Sequence, residues 1–295
     1  MSSPTQFEKY VADEIQKYRD IAFPLRSSLP RRLLVRQCDL KRMHPNPEDE
    51  FCNPQIGPSN RIISEYMDAF RNAKKRGDEI CEEPVLIERM YPDGYMILNG
   101  HHRWAAAMRL GYKKIPVKIV NLTQESDIKK QLSRTTNTKR VTFDLDEVVF
   151  LTEGGTAAEN PLRFPFNLLY KEPLRRGIPA LFNFLSNNGY DVWVYTNNYY
   201  SFEHIRSYFR HYHASVTGVI TGLSRKTKAG QSINKKIDTM MADRYQTTLH
   251  IDNDVVLRTS RNSKQFDEYS LDGASDWGQQ IVDIVKRIES NEKQA

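Results

Sequence analysis

The chain has 295 residues, 39% of them apolar and 27% charged, a balance that excludes collagen, coiled coil and wholesale disorder and leaves room for two modest cores. Its net charge of +6 is uneven: residues 1–140 hold 25 Lys and Arg against 18 Asp and Glu, whereas residues 141–295 hold 18 against 19. A basic first half of this kind either attracts phosphate-bearing ligands or nucleic acid, or forms an ordinary solvated surface.

No window approaches the ~18 uninterrupted apolar residues of a membrane span. The opening MSSPTQFEKYVADE carries acids where a signal peptide carries an apolar run, so a cytoplasmic protein with no membrane partner is expected. Cys38, Cys52 and Cys81 are an odd count without a CxxC pair, and they read as reduced thiols rather than as a disulfide framework or a four-cysteine zinc site.

In chain order, Phe7, Tyr10, Val11, Ile15 and Tyr18 recur at helical spacing, predicting one amphipathic packing helix over the first 25 residues that Pro24 ends. Arg32–Arg36 reads as a strand, and residues 43–59, with four prolines, as a long loop of the kind that often meets a ligand. Ser59 caps a helix through Arg76, which Gly77 stops. Pro84–Arg89 and Tyr95–Leu98 read as strands joined by a turn at Pro92-Asp93-Gly94. A turn at Asn99-Gly100-His101 leads into a short helix, Arg103–Leu110, followed by a strand at Ile115–Val120. The polar helix Glu125–Arg134 and the threonine-rich run after it read as a linker over 126–138.

Beyond it, the apolar runs Arg140–Phe143, Val192–Tyr195, Gly218–Ile220 and Thr248–Ile251 alternate with helical patterns at Ile178–Leu185, Ser201–His211 and Ile233–Ala242. Such alternation implies a parallel sheet with its site at the carboxyl ends of the strands.

The strongest local signal is Val141-Thr142-Phe143-Asp144-Leu145-Asp146, an apolar strand running into two carboxylates two residues apart. Two more strands deliver polar ends: Val192–Tyr195 runs into Thr196, and Leu249-His250-Ile251 into Asp252, Asn253 and Asp254. Lys235 and Lys236 lie between them, at the start of a helix. In this order the motifs resemble the haloacid dehalogenase-like (HAD) phosphatase superfamily over about 141–295. The resemblance implies Asp144 as nucleophile, Asp146 as general acid and base, Thr196 and Lys236 as phosphoryl-binding groups, and Mg2+ held by Asp144, Asp252 and the backbone carbonyl of Asp146. Lys235 competes with Lys236, and the second acid usual after Asp252 is Asn253 here, with Asp254 one further on. The spacings from Asp144 to Thr196 and from Thr196 to Lys236 hold no independent cap, only a small flap within Leu151–Glu172. An open site of this kind suits a macromolecular substrate or a lid from another domain.

In the first half, Asn99-Gly100-His101-His102-Arg103 sits between strand and helix, where backbone N–H groups and basic side chains suit a phosphate; a tight turn with exposed rings is the alternative. With Pro84–Ile87 before it and Leu110–Val117 after it, this segment resembles the ParB/sulfiredoxin-like superfamily over about 30–121. The resemblance implies a nucleotide-phosphate loop at Asn99–Arg103. His101 stands where sulfiredoxins have their reactive cysteine, so thiol repair is not expected. Free-serine kinases of the same fold use a glutamate from the early loop, for which Glu48 is the candidate.

The expected protein is therefore α/β. A ParB/sulfiredoxin-like α+β domain (1–125) is followed by a linker (126–138) and a Rossmann-like HAD domain (139–295) with a parallel sheet and no large cap. The expected function is Mg2+-dependent phosphate-monoester hydrolysis on a nucleotide or nucleic-acid end, with ATP, ADP or CTP at the first domain. The alternatives are a free-serine-type kinase fused to a HAD domain and a non-enzymatic nucleotide- or DNA-binding adaptor.

Overall fold

A computed structural model describes residues 6–18, 21–53, 55–81, 83–151, 158–223, 228–261, 266–272 and 276–294, with 228–234 and 293–294 described by their backbone alone. The chain forms two units, Met1–Leu122 with Arg225–Gln231 and Thr123–Ser224 with Ser232–Ala295.

In the first unit, α1 (Gln6–Tyr18) buries Val11 and Tyr18, and its Phe7 and Tyr10 rings approach Trp104 at 6.0 and 6.4 Å. The helix ends before the expected 25 residues. Proline disfavours helical backbone in the residue before it, and β1 (Phe23–Pro24) instead pairs with Tyr91 and Met90. A helix, α2 (Leu29–Leu34), replaces the strand expected at Arg32–Arg36, because Pro30 in its first turn presets helical φ; β2 (Gln37–Asp39) starts after it. The long loop holds a short β3 (Met43–His44) and a 3₁₀ turn (Glu50–Cys52).

Next, α3 (Asn60–Arg76) starts where the Ser59 hydroxyl accepts the Ile62 N–H at 3.4 Å and stops at Gly77, whose φ of 78° suits a residue without Cβ. Then follow β4 (Val85–Tyr91), β5 (Tyr95–Asn99), α4 (His101–Arg109) and β6 (Lys114–Ile119). The sheet runs β2-β6-β4-β5-β3, with β1 on β4. Val85, Ile87, Ile97, Ile115 and Trp104 are buried in its core.

The second unit begins with α5 (Glu125–Leu132), so the stretch expected as a linker carries a packed helix: Ile128 is buried among Trp193, Ile220 and Met241, and Gln131 accepts the Val219 N–H at 2.9 Å. After it come β7 (Lys139–Asp144), α6 (Ile178–Asn187), β8 (Tyr190–Thr196), α7 (Phe202–His211), β9 (Gly218–Thr221), α8 (Lys228–Arg244) and β10 (Thr247–Ile251). The unit closes with β11 (Val255–Ser260), β12 (Phe266–Ser270) and α9 (Trp277–Gln294).

Its sheet order is β12-β11-β10-β7-β8-β9, with β10, β7, β8 and β9 parallel and β11 and β12 antiparallel. Val141, Phe143, Val192, Val194, Leu249 and Ile251 pack on one face with α6 and α9, while Trp193 and Ile220 meet α5 and α8 on the other. A sheet buried on both faces explains why these strands are continuous apolar runs. The antiparallel pair was outside the sequence reading because β12, Phe-Asp-Glu-Tyr-Ser, is largely exposed and lacks such a run.

Strands β8 and β9 approach closely where Gly218 faces Trp193. A Cβ at Gly218 would lie 2.1 Å from Cε3 of the buried Trp193, its β9–β8 register partner. Gly218→Ala should therefore destabilise the second unit by about 1–3 kcal/mol, read as a lower urea midpoint with an unchanged slope.

Candidate functional site

The turn expected to bind phosphate is built as a clamp. Gly100, at φ 98°, caps α4 without any side-chain cap, and the first amide bonded within the helix is Trp104 N, to Gly100 O at 2.9 Å. The amides of His101, His102 and Arg103 precede that bond, so they form a helix amino terminus with donors to offer.

The side chains of the motif turn inward instead. His101, only 4% exposed, accepts the Asn46 N–H on Nε2 at 3.2 Å, and its ring stacks on Phe51 at 5.5 Å. His102 accepts the Ser59 N–H on Nε2 at 3.3 Å. Arg103 donates to the Glu83 carbonyl at 2.6 Å, to the Glu83 carboxylate at 3.2 Å and to Asn99 Oδ1 at 3.0 Å. The two histidines thus tie the early loop over the start of α4, and the arginine braces the strand before the turn.

An Nε2 that accepts leaves the proton of neutral His101 on Nδ1, which faces Asp49 Oδ1 at 3.7 Å. Burial lowers the His101 pKa to about 4, against an opposing pull from Asp49. Burial lowers that of His102 as well.

Glu48 lies on the clamped loop. Its N–H is held by Asn46 Oδ1 at 3.2 Å while the residue is exposed. Beside the clamp a cavity of about 710 Å³ is walled by Val11 and Ile15 of α1 and by Phe51, Cys52, Ile56 and Asn60, a size that admits a nucleotide. Sequence reasoning did not find Asn46, Ser59, Phe51 or Glu83, because their contacts with the motif span 20 to 55 residues and no local pattern encodes them.

In the second unit the parallel register brings the polar strand ends side by side. Asp144 pairs with Tyr195, one residue before Thr196, and Phe143 with Ile251, one residue before Asp252. Asp144 Oδ1 accepts the N–H groups of Asp146 and Glu147 at 2.7 and 3.0 Å, capping a single turn of π-helix, Leu145–Val149. The buried Thr196 hydroxyl donates to Asp146 Oδ2 at 2.5 Å and accepts the Asn198 N–H at 2.9 Å. Asp252 Oδ1 accepts the Asn253 N–H at 2.7 Å. The Asn253 amide is occupied at both ends, by the Glu147 carbonyl at 3.1 Å and by Arg175. Asp254 is exposed, and its carbonyl accepts the Leu271 N–H at 2.8 Å.

The lysines sit elsewhere than expected. α8 begins at Lys228, so Lys235 and Lys236 lie two turns inside it; Lys235 is exposed, and Lys236 Nζ is 3.2 Å from Glu125 Oε2 with its side chain 58% exposed. Between β7 and β8 the described residues hold the π-turn, a 3₁₀ turn, Phe166–Leu168, and α6, and no inserted sheet. The flap expected within 151–172 is described only outside 152–157. Among the described residues no group of three His, Cys, Asp or Glu side chains is arranged for a metal, and no helix is long and apolar enough to cross a membrane.

The first unit is thus an α/β unit whose glycine turn presents a helix amino terminus beneath a clamped loop. Within it and just beyond, residues 36–136 match the family model of the ParB N-terminal domain. The chain is 37% identical over 54 residues to an ATP-dependent L-serine kinase of Staphylothermus marinus, a match covering 18% of this chain and 21% of the relative. It is 39% identical over 60 residues to an ATP-dependent L-serine kinase of Desulfurococcus mucosus, covering 20% and 22%. An ADP-dependent L-serine kinase of Thermococcus kodakarensis is 31% identical over 68 residues, covering 23% and 28%. The matched segments therefore span less than a third of these relatives. A solved ParB from Caulobacter crescentus, complexed with CTP-gamma-S, is 21% identical, covers 33% of this chain and 59% of its own, and superposes with a TM-score of 0.23.

The buried imidazole gives a pH signature. A folded pKa near 4, below the unfolded 6.5, means the unfolded chain takes up the proton first as pH falls. The contribution is complete above pH 6.5 and is lost between about 6.5 and 4, on the order of 1–3 kcal/mol in the urea midpoint series. His101→Gln, which keeps an acceptor for Asn46, should flatten the stability profile across that window.

Proposed function

We propose that the first unit is a nucleotide-dependent kinase that phosphorylates the hydroxyl of free serine or a closely similar amino acid, with ATP or ADP as donor. The observation that supports this is the clamp: His101 and His102 hold the early loop, on which the exposed Glu48 stands two residues from Asn46, against the start of α4 with its open amides. The serine kinases similar to residues of this chain support the choice of acceptor.

In this scheme the amides of His101, His102 and Arg103 hold the phosphates of the donor, where the positive end of the helix offsets their charge. The Glu48 carboxylate takes the proton of the acceptor hydroxyl as that oxygen bonds to the terminal phosphorus. The bond from phosphorus to the bridging oxygen breaks, and the nucleotide leaves one phosphate shorter. Arg103 acts through its hold on Asn99 and Glu83, which keeps the turn in place. Glu48→Gln should lower serine-dependent nucleotide consumption by about 10²–10⁴-fold with an unchanged melting temperature. A variant with wild-type turnover would sink the assignment of Glu48.

The second unit carries a separate activity in this proposal, hydrolysis of a phosphate monoester. It is favoured by the β10-β7-β8-β9 order, which sets Asp144, Asp146, Thr196 and Asp252 along one edge, and by the Thr196–Asp146 hydrogen bond of 2.5 Å. The donors available there, two carboxylates on adjacent strand ends and the Asp146 carbonyl, are all oxygen and fit Mg2+, which keeps waters in its remaining positions. Asp144, Asp252 and the Asp146 carbonyl would hold the ion, whose chemistry is to offset the charge of the phosphoryl group.

Asp144 attacks phosphorus through its second carboxylate oxygen, Oδ1 being fixed by two amides. The ester bond breaks, and Asp146 supplies the proton to the departing oxygen. Asp146, now ionised, takes a proton from the water that splits the aspartyl-phosphate. Thr196 holds Asp146 in position for both transfers. Asp144→Asn should abolish Mg2+-dependent release of phosphate from an aryl phosphate while serine-dependent nucleotide consumption continues; loss of both together would contradict the division of labour.

A further inference from the structure

Five acids lie at the carboxyl ends of two adjacent strands of the second sheet: Asp144 closes β7 with Asp146 and Glu147 just after it, and Asp252 and Asp254 follow β10. Lys236, the cation that the motif order assigns to this edge, pairs with Glu125 and is largely in solvent. A different cation is built into the edge. Arg175 donates from Nη2 to Asn253 Oδ1, and its guanidinium lies 4.5 Å from the Trp277 ring centroid. Trp277 in turn donates from Nε1 to the Asp252 carbonyl at 3.2 Å, and Asn253 donates to the Glu147 carbonyl at 3.1 Å. The Arg175 backbone is itself fixed, its N–H on the Val149 carbonyl at 2.9 Å at the far end of the π-turn.

One guanidinium therefore braces both acid-bearing loops, residues 146–147 through Asn253 and residues 252–253 directly. Its Nε is buried and has no hydrogen-bond partner, which leaves the group with more donor capacity than the resting contacts use.

The geometry points to Arg175, in place of Lys236, as the positioning residue of this edge: through Asn253 and its stacking on Trp277 it holds the two acid loops in register for phosphoryl transfer. This rests on the phosphohydrolase activity proposed for the second unit. An arginine suits the task because its planar fork keeps its charge when desolvated and can hold Asn253 while lying over an aromatic ring.

The experiment compares Arg175→Ala, Arg175→Lys, Lys236→Ala and Asp144→Asn in the full chain. With an aryl phosphate and Mg2+, Arg175→Ala should lower kcat by about 10²-fold with a smaller change in KM. Arg175→Lys should recover about tenfold of that loss, and Lys236→Ala should stay within about threefold of wild type, as expected for an exposed ion pair. Arg175→Ala within threefold of wild type, or Lys236→Ala as damaging as Arg175→Ala, overturns the assignment.

Thermal stabilisation by orthovanadate with Mg2+ gives a readout that needs no turnover. Lys236→Ala should keep it and Arg175→Ala should lose it, and the reverse pattern refutes the proposal even if no substrate is turned over. Failure of the hydrolysis activity itself shows differently, as phosphate release that survives Asp144→Asn.

Discussion

The first unit depends on the burial of a neutral imidazole. With Nε2 occupied as an acceptor from Asn46, His101 cannot also be a proton donor on that side, and burial resists the second proton that would make it one. Without the imidazole, the buried Asn46 N–H would lose this acceptor, and the loop carrying Glu48 and Asp49 would lose one of its two histidine ties to α4. In the proposed kinase, phosphate binding by the turn falls to its backbone, because a helix amino terminus offers donors without spending side chains on them. A sequence with two histidines and an arginine in a row looks like a cationic pocket. The folded chain uses those side chains as struts and leaves the first amides of α4 open.

The second unit makes its site by another route. A parallel sheet buried on both faces has its ends as the places where polar side chains can emerge, and the shared register of β7, β8 and β10 sets those ends level. Asp144 is held by amides two and three residues ahead of it, so the backbone that fixes the carboxylate also begins the turn that presents Asp146. The Thr196 hydroxyl then ties Asp146 back to the neighbouring strand.

Legibility in the sequence followed the range of the forces involved. The ends of α3 could be read because a serine cap and a positive-φ glycine are local devices, and β7, β8 and β10 could be read because their apolar runs reflect burial on both faces. The segment at Arg32–Arg36 misled because a Leu-Leu-Val run suits either a strand or a helix, and Pro30, two residues upstream of that segment, decided the matter. The strand-end acids and Thr196 were legible as a set, since each ends an apolar run. The brace around them was not. Arg175 follows a proline-rich stretch with no periodicity, and its partners Asn253 and Trp277 lie about 80 and 100 residues away in the chain. The same holds for Asn46 and Ser59 in the first unit.

The placement of the charges explains why the lysine motif could be assigned from order yet differ in space. Lys236 and Glu125 lie on two helices covering the same sheet face, and their exposed pair joins α8 to α5 at small energetic gain. An exposed ammonium is well hydrated, so bringing it against carboxylates means stripping water from it. The Arg175 guanidinium is already partly desolvated, more weakly hydrated by nature, and stacked on Trp277, so little further water has to leave. A cluster of like charges is better served by a cation that the fold has dehydrated and fixed before a substrate arrives than by one that must be recruited from solvent. In this fold Arg175, rather than the lysine of α8, meets that condition.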